Sequence, residues 1–221
     1  MSNLYIVATP IGNLADITLR ALETLKSVDV IFAEDSRVAK KLLAAYSIAT
    51  PVMTYHHHSV TTAPLQKLKE GKNVAVVSDA GTPGISDPGG ALIEAVTKNL
   101  PEVKIIPITG TSALAAVISV AGIPMQEFTF KGFVPHKKGR QTFIKEVCES
   151  KIPVIFFESV HRIVKALQEI AKVQPHKQIV LCRELTKMFE TIYRGTAQEI
   201  LEQLKPDQIK GEFAVLAHDH N

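Results

Sequence analysis

The chain has no tryptophan, only two cysteines, and no phosphate-loop motif of the GxGxxG or GxxxxGK[ST] kind. Each absence removes a class of function. With Cys148 in a predicted helix, Cys182 in a predicted strand and no CxxC spacing, a disulfide framework and a cysteine zinc site are both disfavoured, and two buried thiols are expected. Apolar runs fall well short of the ~20 residues that span a bilayer, and Met1-Ser2-Asn3-Leu4 lacks a basic leader, so the expectation is a cytoplasmic protein with no membrane partner. Missing phosphate loops disfavour a dinucleotide or nucleoside triphosphate ligand. Aromatics make up 6% of residues, too few for a stacking platform, and a net charge of +3 over 221 residues does not by itself imply nucleic acid.

What is present is a core-forming composition, 46% hydrophobic, in which short β-branched runs alternate with helical periodicity. Strands are expected at Leu4 to Ala8, Val30 to Ala33, Val52 to Thr54, Val74 to Val77 and Lys104 to Ile108, with helices between them and Asp16 as an N-cap. That alternation predicts a parallel sheet covered on both faces. Gly122-Ile123-Pro124 breaks the pattern after a helix beginning near Ser112, which puts a domain boundary between 1–119 and 120–221. In the second half, strands Ile179 to Arg183 and Glu190 to Tyr193 stand too close for a parallel crossover, so its sheet should be mixed. Both halves are thus α/β, and the tail from His218 to Asn221 is expected to be loose.

Three predicted strand ends lead into loops rich in Gly, Pro, Ser, Thr and Asp: Thr9 to Asp16, Ser78 to Gly90, and Thr109 to Ser112. Ligands of open parallel sheets bind beyond such ends. The middle loop holds four glycines and two prolines in thirteen residues, suiting close backbone approach to a ligand. Its aspartates, Asp79 and Asp87, either cap turns or face a ribose hydroxyl or a cation. Glu34-Asp35-Ser36-Arg37 follows an apolar run and so stands at a strand's carboxyl end; an N-cap explains Asp35 or Ser36, and leaves Arg37 over. Between Lys131 and Arg140 lie four cations, a histidine and Phe133, either a solvated loop or a phosphate-backbone contact through Lys137, Lys138 and Arg140. His56-His57-His58 point to alternate faces if extended, which disfavours a shared metal; no metal is expected.

The ordered segments Val7-Ala8-Thr9-Pro10-Ile11-Gly12-Asn13, Ala33-Glu34-Asp35-Ser36-Arg37, Ser78-Asp79-Ala80-Gly81-Thr82-Pro83-Gly84, Phe157-Glu158-Ser159-Val160-His161-Arg162, Arg183-Glu184-Leu185-Thr186-Lys187 and Lys210-Gly211-Glu212 resemble the ribosomal RNA small subunit methyltransferase I family, a branch of the tetrapyrrole methylase superfamily. The resemblance runs nearly end to end. It implies a class III methyltransferase with two α/β domains, S-adenosylmethionine in the cleft between them, and a homodimer. It implies transfer to a cytidine 2′-hydroxyl in the decoding region of 16S ribosomal RNA, with no role for DNA. Cofactor contacts would come from Ile11, Thr82, Ile85, Ser112, Ala113, Phe157 and Leu185. A ribose hydroxyl is a weak acid, so a base or a cation should assist; Glu34, Asp35 and Arg37 are the first candidates, then Glu158, His161 and Arg162, then Arg183, Glu184 and Lys187. Arg162 and Lys187 could instead pair with RNA phosphate. Thr109-Gly110-Thr111-Ser112 replaces the Pro-Gly-Pro-Cys form common in relatives, and many relatives continue past the last strand, where an RNA contact could lie. Methylation of a tetrapyrrole or a protein side chain, and a ribosome-associated binding module without turnover, are the competing readings.

Overall fold

The computed structural model describes residues 2–55, 61–87, 89–206 and 209–219, and the chain divides into two units, Met1–Ser112 and Ala113–Asn221. The first contains β1 (Asn3–Val7), α1 (Leu19–Ser27), β2 (Val30–Ala33), α2 (Ser36–Ala45), β3 (Val52–Thr54), α3 (Thr62–Lys69), β4 (Val74–Val77), α4 (Gly89–Asn99) and β5 (Lys104–Ile108). Its strands are all parallel, in the order β3-β2-β4-β1-β5. β2 and β4 are buried along their whole length because helices cover both faces. Leu4, Phe32 and Val76 pack with Leu68, Leu92 and Val96 of α3 and α4. Their strand neighbours Val7, Ile31 and Val77 turn the other way, onto Ala21, Leu25 and Leu43 of α1 and α2. The chain leaves β1 toward one edge of the sheet and returns past it from β4 to β5, so the loops after β1 and β4 stand where the strand order reverses.

Asp16 is not the cap of α1. The Thr18 hydroxyl accepts the Ala21 N–H at 3.1 Å, and Asp16 ends a short 3-10 turn, Leu14–Asp16, opened by Asn13. The extended backbone of Thr18, immediately before the first helical residue, lets its hydroxyl reach that donor.

The second unit contains α5 (Ala113–Ser119), β6 (Thr129–Phe133), α6 (Arg140–Glu149), β7 (Val154–Ser159), α7 (Ile163–Val173), β8 (Gln178–Arg183), β9 (Thr191–Thr196), α8 (Ala197–Gln203) and β10 (Glu212–His218). The order is β6-β7-β10-β8-β9, with β6 and β7 parallel and the remaining pairs antiparallel, a mixed sheet. One face packs Phe156, Leu181 and Val215 against α6, α7 and α8; the other packs Ile155, Val180 and Leu216 against Val117 of α5. That last contact explains why the division falls at 112/113 and not after 119. Periodicity identifies α5 as a helix but carries no information on which sheet will cover it.

The expected loose tail begins later than His218. His218 pairs with Gln178 in the β10–β8 ladder, and Asp219 accepts from the Lys177 ammonium at 2.8 Å. Lys177 is 1% exposed, a burial made tolerable because it also donates to the Ser150 carbonyl at 2.7 Å. Both cysteines are buried thiols, and burial pushes each up to about 11. Among the described residues no helix is long and apolar enough to cross a membrane.

Candidate cofactor and acceptor site

Three loops at the carboxyl ends of β1, β4 and β5 are stitched into one surface. Thr9 and Gly81 exchange both backbone hydrogen bonds at 2.9 Å, an isolated antiparallel bridge beyond the ends of β1 and β4. The Thr111 hydroxyl donates to the Thr9 carbonyl, and the Thr82 hydroxyl donates to the Thr111 carbonyl at 2.9 Å. Glycine is required at the crossing: Gly81 has φ +80°, and a Cβ there would lie 3.2 Å from Ile11 Cγ2. The structure therefore brings Ile11, Thr82 and the residues just before Ser112 together. Ile85 lies one turn beyond Thr82, its N–H directed at the Thr82 carbonyl at 3.4 Å.

Carboxylates rim this surface. Asp87 accepts from the N–H groups of Gly84 and Gly89 at 2.7–2.8 Å, bracing the middle loop, and Asp79 accepts from the Asp35 N–H at 2.9 Å. Asp35 caps α2 and binds the Arg37 guanidinium through both oxygens. Those bonds, the side-chain pair first, lower the Asp35 carboxyl to about 2, while the Arg37 side chain remains 86% exposed. Glu34, half-buried, follows β2. Beside α2 a groove of about 190 Å³ is lined by Thr9, Pro10, Leu14, Val38, Leu42 and Asp79 among others. Small-molecule sites run to roughly 300–1,000 Å³, so this groove alone would take part of a ligand.

In the second unit Phe157 and Leu185 share the face that α5 covers, and Phe157 meets Phe130 and Phe133 edge-on with ring centroids 5.1 and 5.5 Å away. Ala113 is the first residue of that α5. Among the expected RNA contacts, Lys137 and Lys138 are exposed. Arg140 departs from expectation: its side chain is 5% exposed and engaged by Glu158 and Glu169, because it forms the first turn of α6 with its guanidinium turned onto β7 and α7. Arg162 pairs with Glu158, and Lys187 with Glu184 and Glu212. Arg183 is also inward, 7% exposed, donating to the carbonyls of Lys210 and Phe189. Through these two bonds it braces the loop after β8. His56-His57-His58 lie outside the described residues, and among the described residues no group of three His, Cys, Asp or Glu could hold a metal.

Residues 3–201 match the family of Tetrapyrrole (Corrin/Porphyrin) Methylases. The chain belongs to the tetrapyrrole methylase family. It is 42% identical over 217 residues to the ribosomal RNA small subunit methyltransferase I of Halalkalibacterium halodurans, covering 96% of this chain and 74% of that protein. A protein of the same name from Thermotoga maritima is 40% identical over 219 residues, covering 98% of each. Among solved structures, the methyltransferase CobJ matches with a TM-score of 0.71 at 19% identity, covering 99% of this chain and 95% of that one, a likeness in fold.

Two residues of this tetrapyrrole methylase chain escaped the sequence reading. Thr111, not singled out within its loop, supplies the hydroxyl that ties the third loop to the first. Its signal is the preceding Gly110, where a Cβ would stand 3.1 Å from that of Ala8. Tyr55, next after β3, is 1% exposed, and its phenol oxygen is buried with no hydrogen-bond partner among the described residues. Burial first, then the negative charges of Asp87, Glu34 and Asp79, push the phenol upward, so it stays protonated beside the carboxylates. No local pattern marks a tyrosine for that position.

Proposed function

We propose that this chain transfers a methyl group from S-adenosylmethionine to the 2′-hydroxyl of a cytidine in the decoding region of 16S ribosomal RNA. The observation that carries the reading is the likeness, at 40–42% identity through both units, to proteins named as small-subunit ribosomal RNA methyltransferases. The first unit's loops suit the donor. Thr9 to Asn13, Ser78 to Gly90 and Thr109 to Ser112 contain no lysine or arginine, offer backbone carbonyls and hydroxyls, and carry carboxylates that favour a sulfonium or ribose over phosphate. Ile11, Thr82, Ile85 and Ser112, with Ala113, Phe157 and Leu185 of the second unit, would hold the cofactor. Bound there, it would supply a methyl group already activated by the sulfonium.

The protein's own task is then to align the hydroxyl and exclude water. A carboxyl held near 2 has little driving force to take a proton from a ribose hydroxyl, so Asp35 serves as the anchor of Arg37 and of α2. Glu34 receives the proton, and the exposed Arg37 guanidinium stabilises charge developing on the oxygen. Lys137 and Lys138 meet the phosphate backbone. The same reading makes the protein a cytoplasmic homodimer, which sedimentation would check.

The experiment is transfer of isotopically labelled methyl from S-adenosylmethionine to small ribosomal subunits from cells lacking this gene. Label recovered in 16S RNA is expected. Label confined to a tetrapyrrole or a protein side chain would replace this reading with another methylase activity, and tight cofactor binding without any transfer would favour a binding module.

A further inference from the structure

Lys137 and Lys138 sit at the tip of the loop between β6 and α6, and little within that loop holds it. Gly139, in the left-handed region at φ +83°, starts α6 with no side-chain cap. What grips the loop lies underneath it. The Val134 carbonyl accepts from Arg162 Nη1 at 3.0 Å, and the Pro135 carbonyl from Arg140 Nη1 at a longer 3.5 Å. Both guanidinium groups converge on one carboxylate, Glu158, with Arg140 Nη1 at 3.1 Å from Oε2 and Arg162 Nη2 at 2.8 Å from Oε1. The Ser159 N–H donates to the same Oε1 at 2.7 Å, and Arg140 Nε reaches Glu169 on α7 at 2.8 Å. The Glu158 side chain is fully buried, as its place two residues after Phe156 on the same face of β7 requires.

We propose that Glu158, Arg140 and Arg162 are positioning residues that, balanced in charge by the half-buried Glu169, form a network clamping the base of this loop and holding Lys137 and Lys138 in place for the RNA backbone. The inference rests on the RNA reading above. Two arginines and two carboxylates cancel in charge, which makes their burial tolerable. A buried ion network is seldom more stabilising than apolar packing of the same volume, but it is directional, and here the direction is toward two loop carbonyls. Arginine suits the task because its planar guanidinium presents its donors in a fixed fork, which sets the directions of carboxylate and carbonyl, whereas a lysine ammonium is a compact charge whose three donors rotate. The two arginines thus act on RNA through the lysines and not by touching phosphate.

Four variants test this in the full chain: Glu158→Gln, Arg162→Lys, the double variant Lys137→Ala with Lys138→Ala, and that double variant combined with Glu158→Gln. Hydrogen exchange across residues 131–140, affinity for 16S RNA as a function of salt, and affinity for S-adenosylmethionine would be read for each. Loss of the two lysines should weaken RNA binding roughly tenfold or more and lower the log–log salt slope by about 1.4–1.8. Glu158→Gln should speed exchange in the loop and weaken RNA binding by a similar factor, with cofactor affinity unchanged. Added to the lysine double variant, it should weaken binding no further. Arg162→Lys, which keeps the charge but not the fork, should do the same with a smaller loss of stability, which guards against a Glu158 variant that fails to fold. Unchanged loop exchange in both network variants, or additive losses with the lysines, would overturn the proposal. If removing the lysines leaves RNA binding and its salt slope intact, the RNA reading itself fails and takes the proposal with it, while the exchange data still report separately on the clamp.

Discussion

Asp35 accepts from the backbone N–H of Arg37 at 2.8 Å and from Nε and Nη2 of its guanidinium, and these bonds hold its carboxyl at about 2. A carboxyl lowered in the folded state adds stability above its unfolded value of roughly 3.9, and loses it as pH falls through the folded value. Asp35→Asn keeps a capping side chain and removes the charge. Acid unfolding of the two proteins should therefore differ by a constant amount above about pH 4 and converge between about pH 4 and pH 2, and the acid limb of the pH–rate profile should be unmoved. Glu158 lies at the other extreme, buried between two arginines. Replacing it by alanine leaves both guanidinium groups without their shared partner and should cost about 3–5 kcal/mol in denaturant unfolding. The Glu34 to Arg37 cluster was legible because its members are adjacent in the chain and follow an apolar run. The role of Arg140 was not, because its partners Glu158 and Glu169 lie 18 and 29 residues away on other elements. A cation in a basic stretch reads as exposed until the fold turns it inward.

At the scale of elements, the strand-end loops work as a unit because Thr9, Gly81, Thr82 and Thr111 bond one to the next. Gly81→Ala would introduce both an unfavourable left-handed residue, about 1–2 kcal/mol, and a contact with Ile11. The loop can relieve that strain by abandoning the bridge to Thr9. Titration calorimetry should then show S-adenosylmethionine binding roughly tenfold weaker, in proportion to the lost population of the bridged form, with little change in far-ultraviolet circular dichroism. Element positions were largely readable: β2, β3, β4 and β5 have the bounds expected from the sequence. Start points moved where side chains decided them. In the second unit α7 begins at Ile163, after a turn in which the Arg162 N–H bonds the Ser159 carbonyl. The assignment of α5 to the second unit depends on burial of Val117 against Ile155, a long-range contact that no window of sequence contains.

Across the whole molecule, membership of the tetrapyrrole methylase family accounts for the two α/β units, the parallel first sheet and the mixed second one. Its relatives differ in extent: the chain covers 74% of the Halalkalibacterium halodurans protein and 98% of the Thermotoga maritima one. Residues described in the present chain already include a cation-poor loop surface in the first unit and an exposed lysine pair in the second. If this surface serves methyl transfer to a ribose hydroxyl in RNA, the product distinguishes that chemistry from every competing one. A methylated 2′-oxygen can no longer attack the adjacent phosphate, so the backbone at that nucleotide resists alkali, whereas a methylated base leaves it cleavable. The most direct measurement is therefore alkaline cleavage and mass mapping of 16S RNA, from cells with and without the gene and after treatment of the latter with the purified protein. A protein-dependent methyl group on one cytidine, with an alkali-resistant linkage following it, is the expected result. An unmethylated RNA, or a methyl group at an alkali-sensitive position, would contradict the account.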